Sequence, residues 1–168
     1  MNSPNAQRAL SHVDASGNPA MVDVSEKPAS LRSASASAKV LLPPAAILHL
    51  HENGFMGGKN GSKGQVIHTA IIAGVQAAKR TSELIPFCHL IALQACDISI
   101  AANASGFAIE CTCRCNAQTG VEMEALTGAT AAALCIYDMC KALSFDISIT
   151  DIRLLQKTGG KSDYGNQP

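Results

Sequence analysis

The sequence predicts an α+β domain in which helices cover one face of an antiparallel sheet. Two strand-like runs, residues 91–102 and 107–115, are joined by the turn-forming sequence Asn-Ala-Ser-Gly, which is typical of a β-hairpin. A long run rich in Ala and Leu, residues 120–143, has the length and composition of a buried helix. Further strand-like runs precede and follow these elements, an order found in folds that pack helices on an antiparallel sheet.

The remaining elements follow from local patterns. A first strand is expected at residues 31–42, where small and larger side chains alternate. The dipeptide Pro43-Pro44 can open a short helix, because proline is tolerated in the first helical turn. Residues 65–81 follow a helical period, and residues 146–157 alternate as a last strand. The resulting order, strand, helices, strand, strand, helix, strand, is that of a ferredoxin-like sheet.

The chain divides into a lead, one domain and a tail. Residues 1–20 are polar and rich in turn formers, which predicts a flexible lead, and residues 163–168 form a short polar tail. A single domain is expected over residues 21–162. It begins with Met-Val-Asp-Val-Ser at 21–25, whose alternation predicts a short strand. The segment 51–64 is rich in Gly, Asn and Lys and predicts a mobile loop.

The composition indicates a core of small side chains and argues against several classes of protein. Apolar residues make up 47% of the 168 residues but aromatic residues only 4%, so the core must be built from Ala, Val, Ile and Leu. Thirteen basic residues balance thirteen acidic ones, which argues against wrapping nucleic acid by a bulk positive field. No apolar run approaches the roughly 20 residues of a membrane span, and the polar start lacks a secretory signal.

The cysteines favour a reducing compartment. There are seven, with no Cys-x-x-Cys pair, so we expect free thiols, no metal and a cytoplasmic protein, or an organelle protein whose transit peptide has been removed. Cys111, Cys113 and Cys115 alternate on one predicted strand, and packing on one face explains them. Cys88 adjoins His89, and the structural interpretation is a turn with a buried thiol and a hydrogen-bonded imidazole.

The long helix carries four ionisable side chains in an otherwise apolar run. Thr119 and Glu122 have the spacing of a capping box, which is a structural role. Glu124 lies in the first turn, where a carboxylate suits the helix dipole. Asp138 and Lys141 are three residues apart, so they can form a simple ion pair. Their neighbours look buried, however, and a buried pair is costly unless it has a function, so both interpretations stay open.

Two segments place lysines among glycines, which suits an anion such as phosphate. They are Gly-Gly-Lys-Asn-Gly-Ser-Lys-Gly at 57–64 and Lys-Thr-Gly-Gly-Lys-Ser at 157–162. The second is not a Walker A loop, because Leu155 stands where that motif requires glycine. A flexible tail accounts for its composition equally well.

Several segments together resemble the MoaC family of molybdenum cofactor biosynthesis proteins, the cyclic pyranopterin monophosphate synthases. These long blocks are far more specific than any single motif. The matching segments are residues 21–25 with Arg32 downstream, Lys-Gly-Gln from Lys63, and residues 73–89, 119–127, 136–142 and 153–162.

The resemblance implies a catalytic domain over residues 21–162, a ferredoxin-like subunit of a hexamer built as a trimer of dimers. Its substrate would be the cyclic dihydro-GTP intermediate (3′,8-cyclo-7,8-dihydro-GTP), and its products cyclic pyranopterin monophosphate and pyrophosphate. No cofactor would be required, although Mg²⁺ could accompany the triphosphate, and neither nucleic acid nor membrane would be a partner.

The resemblance also implies roles for individual residues. Lysines would neutralise charge on the leaving phosphates, and the Asp–Lys pair would take part in the proton transfers of ring rearrangement. The family's catalytic residues match Asp138, Lys63 and Lys141. Its substrate contacts match Phe87, Cys88, His89, Met123 and Glu124, and basic residues near its site match Arg32, Lys157 and Lys161.

Two other classes of function each match part of the sequence. An RNA-binding module shares the ferredoxin-like order, and Gly106-Phe107-Ala108 matches part of its aromatic strand motif. The leading basic residue and the later aromatic residues of that motif are missing, and stacking on bases needs those rings. A non-catalytic oligomeric scaffold is the other alternative, and the presence of Lys63, Asp138 and Lys141 argues against it.

Overall fold

Four strands and four helices make up the computed structural model of the chain, which describes residues 10–55 and 64–165. The order along the chain is the expected one. The elements are β1 (Ser30–Leu41), α1 (Pro44–Glu52), α2 (Gln65–Ala78), α3 (Thr81–Leu84), β2 (Ala95–Asn103), β3 (Gly106–Ala117), α4 (Glu122–Cys140) and β4 (Ser148–Thr158).

The strands form one sheet in the order β2-β3-β1-β4. Every neighbouring pair is antiparallel, and β2 and β3 form the predicted hairpin, with Asn103 paired to Gly106 across the turn. Helix α4 packs on the sheet and α2 packs beside it, against α4 and β2. The predicted α+β class with an antiparallel sheet is therefore confirmed, and the strand order is that of a ferredoxin-like sheet.

The core lies between the sheet and α4 and consists of small side chains. Alternate residues of β1 and β3 face this core. Helices α2 and α4 approach each other closely because Gly74 and Gly128, which lie where they meet, have no side chains. A Cβ added at Gly74 of α2 would lie 2.7 Å from the carbonyl oxygen of Gly128 in α4. The fully buried members include Ala34, Ala36, Val40, Phe107, Cys111, Cys113, Cys115, Ala125, Ala129, Ala133 and Ile136.

Three element predictions need correction. Residues 21–25 are not a strand: Val22 and Val24 are half-buried beside exposed neighbours, so the alternation is that of an extended segment lying on a cavity without sheet partners. The helix predicted over residues 65–81 ends at Ala78. The strand predicted from residue 91 begins at Ala95.

Other sequence predictions concern the ends and loops of the chain. Of the predicted mobile loop, residues 51 and 52 belong to α1, and residues 56–63 lie outside the described part of the chain. Within residues 10–20 the backbone amides of Ser16 and Asn18 donate to the Asp14 carboxylate, both at 2.8 Å, in a local turn. None of the helices in the described residues is long and apolar enough to cross a membrane.

Candidate active site

The first cavity lies where the start of α4 meets the segment after α3, and it has a volume of about 320 Å³. We call it the Glu124 cavity. All five predicted substrate contacts line it, together with the extended segment that contains Val22 and Val24. These five are Phe87, Cys88, His89, Met123 and Glu124.

Local contacts hold the segment after α3 in place. The amide of Cys88 donates to the carbonyl of Ile85 at 3.1 Å. Nε2 of His89 lies 2.8 Å from the carbonyl oxygen of Val22, and because a carbonyl can only accept, Nε2 carries the proton. Because Nε2 donates to Val22, Nδ1 is the ring nitrogen that can accept a hydrogen bond. The predicted hydrogen-bonded imidazole is confirmed, and it ties residues 21–25 to the cavity.

Glu124 is the chemically unusual group of this cavity. Its side chain is buried in the first turn of α4, and only 4% of the residue is exposed. Burial away from water raises the pKa of Glu124, a backbone hydrogen bond opposes the rise and the nearby Glu122 carboxylate adds to it, so that the pKa is about 7. A carboxyl group with this pKa can both donate and accept a proton near neutral pH, as a general acid or base must.

The buried carboxyl group predicts that stability falls with rising pH. Because the pKa of Glu124 is about 7 in the native state and ordinarily 4.5, the native chain binds this proton more tightly than the unfolded chain. This tighter proton binding stabilises the native state fully below pH 4.5, and the stabilisation is lost as pH rises to about 7. Glu124→Gln, which cannot ionise, should therefore raise the free energy of unfolding at pH 8 by on the order of 2–3 kcal/mol.

Urea unfolding of wild type and Glu124→Gln at pH 5 and pH 8 measures this difference. The variant should gain stability relative to wild type only at the higher pH. Glu110→Gln, which alters an exposed carboxylate on β3, serves as the matched control and should track wild type. Equal pH dependence in Glu124→Gln and wild type would contradict the assignment.

A second, basic cavity of about 220 Å³ adjoins the first. Arg32, Lys157 and Lys161 line it, so β1, β4 and the following turn bring together the three basic residues that the family resemblance selected. Arg32 is held by its Nε, which donates to the carbonyl of Ala117 at 3.3 Å. The two cavities are adjacent and share wall residues, namely Lys27, Thr119, Gly120 and Glu122.

Lys27 is a residue that the sequence analysis missed. It lines both cavities and adds a fourth basic side chain where they meet. It follows the 21–25 segment in an irregular stretch, and its amide donates to the carbonyl of Val24 at 3.0 Å. The only signal in the sequence was its nearness to a segment already matched to the family.

Glu122 has a different role from the one predicted. It was expected to complete a capping box with Thr119, but α4 begins at Glu122, with Val121 as N-cap and no side-chain cap. Glu122 instead pairs with Nζ of Lys157 on β4 at 2.9 Å, and both side chains are about one-third exposed. The capping-box prediction is wrong because the N-cap is Val121, two residues later than the Thr119 that the motif requires.

The Asp138–Lys141 pair lies at the other end of α4. Nζ of Lys141 donates to Oδ1 of Asp138 at 2.6 Å, and this hydrogen bond raises the pKa of Lys141. The neighbouring residues Ile136 and Cys140 are buried, as expected, but the side chains of Asp138 and Lys141 are 71% and 61% exposed because they point away from the core. Neither residue lines the two cavities. Lys63 lies outside the described residues.

The RNA-binding alternative does not fit the structure. It required the ring of Phe107 on β3 to be available for stacking on bases. That ring is 1% exposed and belongs to the core between sheet and helices.

Comparison with known proteins identifies the family. A model of the MoaC family matches residues 21–160. The chain is 51% identical over 157 residues to cyclic pyranopterin monophosphate synthase of Xanthomonas axonopodis pv. citri (strain 306), a match that covers 93% of each chain. It is 47% identical over 154 residues to molybdenum cofactor biosynthesis protein 1 of Mus musculus, covering 90% of this chain and 23% of that protein. The chain therefore belongs to the MoaC family, and the predicted membership is confirmed.

Proposed function

We propose that this chain is a phosphorus–oxygen lyase of molybdenum cofactor biosynthesis. It converts the cyclic dihydro-GTP intermediate to cyclic pyranopterin monophosphate and releases pyrophosphate. The observation that carries the proposal is that two cavities adjoin, one lined by four basic side chains and the other by a buried carboxyl group. A substrate with a triphosphate at one end and a purine-derived ring at the other needs both environments.

The basic cavity binds the triphosphate. Arg32 can form paired hydrogen bonds with phosphate oxygens, and the ammonium groups of Lys27, Lys157 and Lys161 add positive charge. These groups stabilise the negative charge that develops as the inner phosphate is attacked and pyrophosphate leaves. No protein-bound cofactor is part of the proposal, and Mg²⁺ would arrive with the triphosphate.

The Glu124 cavity binds the ring system, which must open and close again as a pterin. That rearrangement requires protons to be added and removed, and Glu124 can do both near neutral pH because burial raises its pKa to about 7. His89, with Nε2 held by Val22, presents Nδ1 as a fixed acceptor. Phe87 and Met123 supply apolar walls for the ring.

The catalytic Asp138–Lys141 pair reaches this site from a second subunit. On one chain Asp138 and Glu124 are 14 residues apart along α4, which at ~1.5 Å per residue is roughly 21 Å. Antiparallel packing across a two-fold axis would bring opposite ends of two such helices together. The exposed apolar side chain of Leu134, one turn before Asp138, suits such an interface, so we propose a homo-oligomer, a hexamer built as a trimer of dimers.

Turnover of the proposed substrate tests the function directly. The purified chain is incubated with cyclic dihydro-GTP, and pyrophosphate and oxidisable pterin are measured together. We expect the two products in equal amounts, with at least about a hundredfold less of each from Asp138→Asn. Absence of both products with the intact wild-type chain would refute the proposal.

A prediction for the basic cavity follows from the Lys157–Glu122 pair. In the unliganded protein the Glu122 carboxylate neutralises Lys157, so it competes with a bound anion. Glu122→Gln keeps the shape but removes the charge. It should tighten pyrophosphate binding several-fold, or by about 1 kcal/mol, the scale of a partly exposed ion pair.

Isothermal titration with pyrophosphate measures this effect. Lys157→Met should weaken binding, and Glu110→Gln, outside the wall of either cavity, is the matched control. An affinity that is unchanged or reduced in Glu122→Gln would show that the anion does not engage Lys157.

A further inference from the structure

Three cysteine sulfurs meet under the helices, away from the proposed active site. Cys96 on β2 lies directly opposite Cys113 on β3 in the sheet register, and Cys111 is two residues before Cys113 on the same face. The Sγ–Sγ distances are 3.9 Å for Cys96–Cys111, 3.9 Å for Cys111–Cys113 and 3.8 Å for Cys113–Cys96. The sulfurs therefore form a nearly equilateral triangle.

This triangle differs from the sequence-based interpretation. The alternation of Cys111, Cys113 and Cys115 was explained by packing on one face, and Cys115 is indeed a buried core residue that takes no part in the cluster. The third sulfur comes from the neighbouring strand. Only the pairing of β2 with β3 places Cys96 there.

The geometry points to a binding site for a thiophilic metal ion, a d¹⁰ ion such as Cu⁺ or Zn²⁺, with Cys96, Cys111 and Cys113 as ligands. Sulfur atoms that bind one ion at the zinc–sulfur distance of about 2.3 Å with tetrahedral angles lie about 3.8 Å apart. The observed triangle has this size, so an ion could bind all three sulfurs without moving them. Thiolate sulfur is the ligand that selects copper(I) and zinc over harder ions.

The surroundings suit a metal ion that enters from one side. Cys111 and Cys113 are 0% exposed, whereas Cys96 is half-buried and lines a cavity with Ile71 and Val75 of α2, which provides a route from solvent. Gly128 of α4 makes room for the cluster, because a Cβ added there would lie 2.6 Å from Sγ of Cys111.

The three proposed ligands are free thiols, so metal binding exchanges protons for the ion. On binding, the ion replaces the thiol protons, one S–H bond breaking for each metal–sulfur bond formed. Up to three protons go to solvent, and no atom changes oxidation state.

Metal titration of the full chain tests the site. The reduced protein, with its seven thiols counted, is titrated anaerobically with Cu⁺ against a coloured copper(I) chelator, and separately with Zn²⁺ against a zinc indicator. We expect one ion per chain for at least one of the two metals, with sulfur-to-metal charge-transfer absorption in the copper experiment and a higher Tm. Cys96→Ala, at the most exposed of the three positions, should weaken that binding at least a hundredfold.

A matched control separates the cluster from the other thiols. Cys115→Ala removes a buried cysteine from the same face of β3 and should retain the ion. Circular dichroism and the metal-free Tm establish that each variant is folded, and Cys113→Ala provides a second test if Cys96→Ala is not. The proposal is overturned if the wild type retains no more metal than Cys96→Ala, or if Cys115→Ala loses the ion to the same extent as Cys96→Ala. It is also overturned if the reduced protein binds neither metal and air oxidation instead forms a disulfide between Cys96 and Cys113.

Discussion

Asp138→Asn and Lys141→Ala are each expected to lower turnover at least about a hundredfold, the scale of a lost general acid or base, while Tm changes by no more than a few degrees. The structure explains why activity and stability should separate. The two side chains pair with each other at 2.6 Å at the end of α4, and both are mostly exposed to solvent. Solvent-exposed ion pairs contribute little to folding stability. Steady-state kinetics and thermal unfolding of the same preparations measure both quantities.

A matched exposed ion pair provides the control for this experiment. Lys39 pairs with Asp151 at 2.6 Å on the sheet, with both side chains about half exposed. Lys39→Ala should therefore resemble the other variants in stability but keep its turnover. Lys63→Ala, at a position outside the described residues, is expected to lose turnover as Lys141→Ala does. Full activity in folded Lys141→Ala protein, together with a large fall in Tm, would make the pair structural.

Mixing two inactive variants, Glu124→Ala and Asp138→Asn, is expected to restore about a quarter of wild-type activity if each site takes Glu124 from one subunit and Asp138 from its two-fold partner. Random exchange makes half of the dimers mixed. In a mixed dimer one site carries both substitutions and the other carries neither. The distance along α4, roughly 21 Å at ~1.5 Å per residue, is the reason to expect shared sites.

Subunit exchange must be verified for this result to be interpreted. One variant is labelled with heavy isotopes, and native mass spectrometry follows the appearance of mixed oligomers. Each variant taken alone through the same exchange procedure is the control and should stay inactive. Mixed oligomers without any activity would place Glu124 and Asp138 in the same subunit's site, and the shared-site proposal would fail.

Local sequence patterns were sufficient for the order of elements and for the fold class. The hairpin was predictable because the turn after Asn103 and the alternation on either side of it are short-range signals. Helix α4 was predictable because a long run of small apolar residues has few alternatives. The ends of helices and strands were predicted less accurately, as at Thr119. A capping motif favours a helix start at a given residue, but tertiary contacts can move the start.

The candidate site was only partly predictable. Resemblance to a family selected Arg32, Lys157 and Lys161, and the structure places them in one cavity. Lys27 escaped notice, because nothing local distinguishes a lysine in a binding cavity from a lysine on the surface. The ion pair between Glu122 and Lys157 also joins residues far apart in the chain, so no local pattern could reveal it.

The α+β class, the antiparallel sheet and the membership of the MoaC family follow from the amino-acid sequence, since these depend on periodicity, turn chemistry and long matched segments. The environment of each charge and thiol depends instead on the three-dimensional packing. Glu124 and Asp138 lie on one helix, yet the first is covered by the segments around Val22 and His89, and the second faces solvent. Burial, and with it pKa, depends on which distant segments pack above a residue, and the residue's own neighbours in sequence do not specify them.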